Sequence, residues 1–353
     1  MVEISVLLYV FNDEEFIKDS IESIINQSFT DLEIICMDDE STDNSLSILK
    51  QYAQNDDRVK VYSNKHCGLG ISINNALKNV NGKYVQILKT GTILKENALS
   101  KMFEKIRDKE ADFVMANIKN QDKTGKEYEN NQYSLNKLLT ICGDNAFNLD
   151  DVQDIFFELD ASVENKLYSK KFIQDNDITF KGNCEYSENI FFYETFLQAE
   201  KIYCLKDILF IHQDRYTLLK RRDTEKMLNI PISSNKIMDL FKKYDKLENN
   251  KEIYNHLFNR NMKGYFTIKE IYKNDYFNMI KTGLVDLIKS DHADDFLDNI
   301  EDYNRKLFEQ IIISENFYEF NRLQKTYYEK IEFNKLLNRK KYLKPYIETM
   351  NGE

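Results

Sequence analysis

Apolar positions change their period along this chain, and the change divides it in two. Over the first 118 residues, short apolar runs alternate with stretches in which Ile, Leu and Phe recur every three or four positions. That is the pattern of an α/β sheet built from crossover units. Ile4 to Val10 is a near-continuous apolar run, as expected for a strand covered on both faces. Phe16, Ile17, Ile21, Ile24 and Ile25 then recur at helical spacing behind Asp13, which suits a helix cap, and Asn26 to Ser28 closes that helix. Leu32 to Met37 reads as a second strand, Asn44 to Ala53 as a helix burying Leu46, Ile48 and Leu49, and Val59 to Tyr62 as a third strand. Gly68 to Lys78 reads as a loop and helix, Lys83 to Leu88 as a fourth strand, Glu96 to Arg107 as a helix and Phe113 to Ala116 as a fifth strand.

Between Lys119 and Asp160 the period is lost among polar residues and scattered aromatics, which predicts an insertion packed loosely on the sheet edge. From Leu218 onward glycine and strand signals thin out, and apolar residues return at three- and four-residue spacing, as in Phe308, Ile311, Ile312 and Phe317. The expected organisation is an α/β unit over 1–217 followed by a helical region over 218–353. A chain of 353 residues has room for both.

Composition narrows the function classes. The net charge is −10 with 31% charged residues of both signs, which argues against a general grip on nucleic-acid phosphates. Five well-separated cysteines with no C-x-x-C pair fit reduced thiols in a cytoplasmic protein. No apolar run approaches the roughly 20 residues that span a bilayer. Lysines in the helical region are interleaved with acids, so a basic membrane-docking face is not evident there, and peripheral membrane contact, a homo-oligomer interface and an acceptor surface all remain open for it.

Parallel α/β sheets bind ligands beyond the carboxyl ends of their strands. Four such segments carry polar or glycine-rich sequence: Tyr9 to Asn12, Asp38 to Asp43, His66 to Gly70, and Lys89 to Gly91. Read alone, Asp38, Asp39 and Asp43 are turn and capping residues, Lys89 is a solvated strand-end lysine, and Glu188 is an exposed helix residue. His66 and His212 are each isolated, and a lone histidine is more often structural than a ligand. Arg215 reads as a surface charge.

Taken in order, these segments resemble the inverting family 2 glycosyltransferases of the GT-A fold. Ile4 to Asn12 resembles the opening strand and P-V-Y-N turn, Ile35 to Ser45 the V-D-D-G-S-T-D-N-S signature, and Gly68 to Leu77 the G-L-S-A-A-R-N-A-G-I helix start. Gly82 to Leu88 is similar to the G-E-Y-I-x-F-L strand, Ala161 to Tyr168 to A-S-V-W-N-K-L-Y, and Tyr186 to Phe192 to Y-E-D-V-P-F-F. The resemblance implies a Rossmann-like mixed sheet and transfer of a sugar from a nucleotide donor, most simply a UDP-sugar, to a hydroxyl of a glycan, lipid-linked or protein acceptor. It also implies that Asp39 accepts a hydrogen bond from the base, that Val10, Phe11 and Asn12 line the same pocket, and that Glu188 is the general base.

The departures from that pattern lie on the donor side. Tyr9 stands for proline, Glu40 for glycine, Ile73 for the arginine of A-A-R-N, and Lys89 to Thr92 for D-S-D-D; apart from these, Glu164 stands for the family tryptophan and removes a sugar-stacking candidate. In the family that acidic group holds a divalent ion, Mg or Mn, which bridges the diphosphate. Lys89, Thr90 and Gly91 offer no hard carboxylate ligand, so no metal site is expected and no cofactor is assigned. Lys89 itself is then the candidate phosphate contact, as a point charge in place of the ion. The alternative is a catalytically silent GT-A module that scaffolds a partner or binds a glycan or nucleotide.

Overall fold

The computed structural model describes residues 2–129, 134–182, 184–214 and 225–325. Its centre is a nine-stranded mixed sheet. Strand β1 (Ile4–Val10) lies between β2 (Leu32–Asp38) and β4 (Tyr84–Lys89), with β3 (Val59–Ser63) outside β2, all parallel. Beyond β4 the order runs through β8 (Lys166–Ser169), β6 (Phe113–Gln121) and β9 (Ile202–Gln213) to β5 (Thr92–Leu94), while the short β7 (Glu127–Tyr128) pairs antiparallel with the end of β6. Strand β8 runs antiparallel to both β4 and β6, so the parallel half ends at β4.

The alternation of side chains sorts the strands' residues onto two faces. Ile4, Val6, Leu8, Val10, Ile34 and Cys36 join one buried cluster with the helices Glu14–Ile25 and Ala98–Lys109. Leu7, Ile35, Met37, Val85 and Ile87 join the other, with the helices Gly68–Leu77 and Ser187–Gln198. That second cluster runs on without a break into the C-terminal helices, through Ile237, Phe241, Tyr254, Phe308, Ile311 and Phe317. Arg260 is one of the clasps. It donates to the carbonyl of Ile230, to the hydroxyls of Ser233 and Ser234, and at 3.5 Å to Asn189 in the first turn of helix 187–198.

The segment 119–160 differs from the expectation of a loose edge insertion. Strand β6 continues to Gln121 by pairing with β9 across a register shift at Ala116 to Ile118, and Leu135, Leu138, Phe147, Leu149, Val152 and Phe156 are buried in the main core. Leu138 and Phe156 belong to short pieces, Asn136–Cys142 and Gln153–Phe156, too brief for a helical period to register. Asp13 also differs. It occupies the N-cap position of helix 14–25 without a capping bond, and its carboxylate takes the hydroxyl of Thr90 instead. Only Leu49 of the three predicted residues in helix 45–55 is fully buried. The five cysteines are free thiols, four of them buried. No helix among the described residues is long and apolar enough to cross a membrane.

Candidate active site

Register brings the strand ends to one edge. Tyr9 sits beside both Met37 and Lys89, and Val10 beside Asp38, so the loops after β1, β2 and β4 open together. Register partners share a face, and Tyr9 and Lys89 therefore point toward the side carrying helices 68–77 and 187–198.

Asp39 is fully buried and fully occupied. One carboxylate oxygen accepts from the Cys67 amide at 2.9 Å and the Ser72 hydroxyl at 3.1 Å. The other accepts from the Gly68 amide at 2.9 Å and the Tyr9 hydroxyl at 3.0 Å, with Nδ1 of His66 also 2.9 Å away. Burial alone would raise the Asp39 pKa, but the Cys67 amide, the Tyr9 hydroxyl and the Gly68 amide outweigh it and hold it below the ordinary value. Among these partners His66 is the most exposed. Its side chain is 47% exposed and its ring stacks on Phe11 with centroids 4.4 Å apart.

The remaining pocket-lining candidates divide by role. Val10 is buried in the sheet, Phe11 is half-buried at the rim, and Asn12 is exposed with φ of 51°. Asn12 knits two loops together, its side-chain oxygen accepting from the amide and hydroxyl of Thr42 and its own amide donating to Ser41. Asp43 does similar work, accepting from the Ser45 and Glu14 amides. Glu40 has φ of 62°, a conformation that costs an L-residue roughly 1–2 kcal/mol relative to glycine, and its carboxylate accepts from the His66 amide. Ile73 is core.

Lys89 and Glu188 meet. The Lys89 ammonium lies 3.3 Å from Glu188, in the first turn of helix 187–198, and 3.7 Å from Glu164. Glu164 is buried and also accepts from the Lys89 amide at 3.2 Å and from the Thr92 hydroxyl at 2.8 Å. Two further charges stand near. Burial pushes Asp160 up to about 6 against the pull of Lys166 and Lys89, and pushes Lys166 down to about 8 against Asp160. Lys166 donates to Asn165 at 2.8 Å and to the carbonyl of Ser162, and it sits over the ring of Phe192. Asp160 and Lys166 had no role in the sequence reading. Lys166 stood inside the quoted motif, while nothing local marked Asp160.

An ammonium paired with Glu188 and Glu164 at this point does not suit a divalent cation, and no group of three or more His, Cys, Asp or Glu side chains that could hold a metal ion occurs among the described residues. His212 lies on β9 opposite Thr92, whose hydroxyl donates to Glu164. Arg215 is outside the described residues.

Residues 5–165 match the sequence model of Glycosyl transferase family 2. The chain carries a family 2 glycosyltransferase domain. Beyond the domain match, it is 25% identical over 231 residues to glycosyltransferase GlyG of Streptococcus pneumoniae, across 62% of this chain and 73% of that protein. It is 28% identical over 225 residues to the poly(ribitol-phosphate) beta-glucosyltransferase of Bacillus spizizenii, where the match covers only 33% of the relative. Among solved structures, S. aureus TarS 1–349 in complex with UDP-GlcNAc superposes with a TM-score of 0.73 at 17% identity, over 93% of this chain and 92% of that one. The likeness extends through the C-terminal helices, so the glycosyltransferase domain and its helical region share the GT-A-plus-helices architecture.

Proposed function

We propose that the chain transfers a sugar from a nucleotide-sugar donor, of UDP type, to an acceptor hydroxyl in glycan or cell-envelope polymer synthesis, by single displacement with inversion and without a divalent metal. The observation that carries this reading is the convergence of Asp39, Lys89 and Glu188, from three separate elements, at the edge where the parallel strands end. The UDP-GlcNAc complex of TarS and the naming of several relatives as envelope-polymer glycosyltransferases support the donor and acceptor classes.

In this mechanism Asp39 accepts the imide N–H of the base as His66 and the Tyr9 hydroxyl give way, with Val10, Phe11 and Asn12 forming the adjoining wall. Lys89 neutralises the diphosphate. Glu188 accepts the proton of the acceptor hydroxyl as its oxygen attacks the anomeric carbon from the face opposite the diphosphate. The anomeric carbon–oxygen bond breaks as the new one forms, and the nucleoside diphosphate leaves with the electron pair. A preorganised cation at the leaving group is worth several kcal/mol in a water-poor site.

One observation favours the silent-module reading: Asp39 and Glu188 already have partners inside the protein. Incubation with a panel of nucleotide sugars and an envelope-polymer acceptor, in the presence of a chelator, separates the two. Release of nucleoside diphosphate supports the enzyme; its absence with every donor, with or without metal, supports the silent module.

A further inference from the structure

The pairing of the candidate base with the candidate phosphate ligand has a consequence for the order of events. We propose that Lys89 is handed over during the cycle: in the donor-free protein it masks Glu188, and it exchanges that contact for the diphosphate when the donor enters, so that the base is freed only once the leaving group is in place. This rests on the reading of Lys89 as the phosphate contact.

The geometry says which of the two carboxylates lets go. Glu164 is fixed. It is buried, its carboxylate accepts the Lys89 backbone amide and the Thr92 hydroxyl, and its carbonyl accepts from Gln86 at 2.6 Å. Glu188 stands in the first turn of a helix, and the Lys89 and Glu188 side chains are 28% and 26% exposed. A partly exposed pair at 3.3 Å contributes little, typically under about 1 kcal/mol. A diphosphate offers more negative charge and more acceptor oxygens to the same ammonium. Glu164 thus acts as a positioning residue that keeps Lys89 at the strand end while Glu188 is exchanged for phosphate. Asp160 and Lys166 add one group of each sign to this neighbourhood, Asp160 being within electrostatic reach of Lys166, Lys89 and Glu164.

The test is isothermal titration of the full chain with UDP, GDP, CDP and dTDP and with the matching nucleosides, the tightest pair being carried through a cycle of wild type, Glu188→Gln, Lys89→Met and the double variant. Handover predicts that Glu188→Gln binds the diphosphate about threefold tighter, because no pair has to be broken, while the nucleoside binds unchanged. That gain must shrink or vanish when Lys89 is absent. An equal or larger gain in the Lys89→Met background means that Glu188 merely repels phosphate, and no gain with lysine present means that the contact is never exchanged. Either result overturns the handover while leaving Lys89 as a phosphate ligand, provided Lys89→Met alone weakens diphosphate binding. If Lys89→Met leaves diphosphate and nucleoside affinity unchanged, the phosphate role fails and the handover with it, as it does if no nucleotide binds. Thermal melting checks that each variant folds; should Glu188→Gln not fold, Glu188→Asp, whose shorter side chain draws back from Lys89, carries the same expectation.

Discussion

The hydroxyl of Tyr9 donates to Asp39 across 3.0 Å, from the strand position where the resembling family carries proline. An aspartate offers about four lone-pair sites, and here the Cys67 and Gly68 amides, Ser72 and Tyr9 take them, with His66 alongside. Asp39 is therefore structural before it is anything else. Asp39→Asn should destabilise the protein by about 2–3 kcal/mol, since an amide group would face donors it cannot accept from, and should weaken nucleoside binding at least tenfold. His66→Ala should leave nucleoside affinity equal or improved, because it clears both Asp39 and the face of Phe11. Thermal melting and calorimetry read the two effects separately.

Lys89→Ala is expected to weaken nucleoside diphosphate binding about tenfold while sparing the nucleoside, as loss of one charge-assisted contact would. Equal losses for both ligands would locate the lysine's effect in the fold of the pocket.

Acid should destabilise the protein in two windows. His256, packed against Tyr193 and Arg260 and pushed down to about 4 by burial and then by that arginine, stays neutral in the fold. Its unfolded form binds a proton near 6.5, so stability is lost as pH falls from about 6.5 to 4. Burial would raise Glu33, but Lys60, Ser5 and Asn81 more than reverse this and bring it from 4.5 to about 2. Its contribution is complete above the unfolded value of 4.5 and is lost as pH falls through about 2. His256→Phe should flatten the upper window and Glu33→Gln the lower one in denaturant titrations across pH.

Cys67 provides a reporter. It is the one cysteine of five that is not buried, and its sulfur lies 3.4 Å from Asp39. Burial raises the thiol above its ordinary pKa, and Asp39 adds to this, so alkylation should be slow at neutral pH and faster near pH 9. Saturating nucleoside diphosphate should slow labelling several-fold; an unchanged rate, measured by intact mass, would move the nucleotide elsewhere.

The parallel half of the fold was legible because its inner strands β1 and β2 are buried on both faces and its helix 14–25 carries a clean apolar stripe of Ile17, Ile21 and Ile24. The segment 119–160 was not, because Leu138 and Phe156 reach the core from pieces of seven and four residues, and Phe147 from an isolated bridge to Ile202. At the site, the strand-end positions could be read one at a time, but their pairing could not. Nothing local joins Lys89 to Glu164 and Glu188, which lie 75 and 99 residues away; the pairing of β8 with β4 brings up Glu164, and helix 187–198, in the same buried cluster as Val85 and Ile87, brings up Glu188. Two of the departures from the family pattern, Lys89 and Glu164, thus turn out to be neighbours, and Tyr9 and Glu40 each have a polar partner in the same pocket.

The central claim is that a protein cation serves where a metal would, and titration of a nucleotide-sugar panel with and without manganese tests it most directly. Tight binding of one donor, unchanged by manganese or chelator and weakened about tenfold in Lys89→Met, is the expected result. Donor binding that appears only with manganese, or that survives the loss of Lys89 intact, would contradict it.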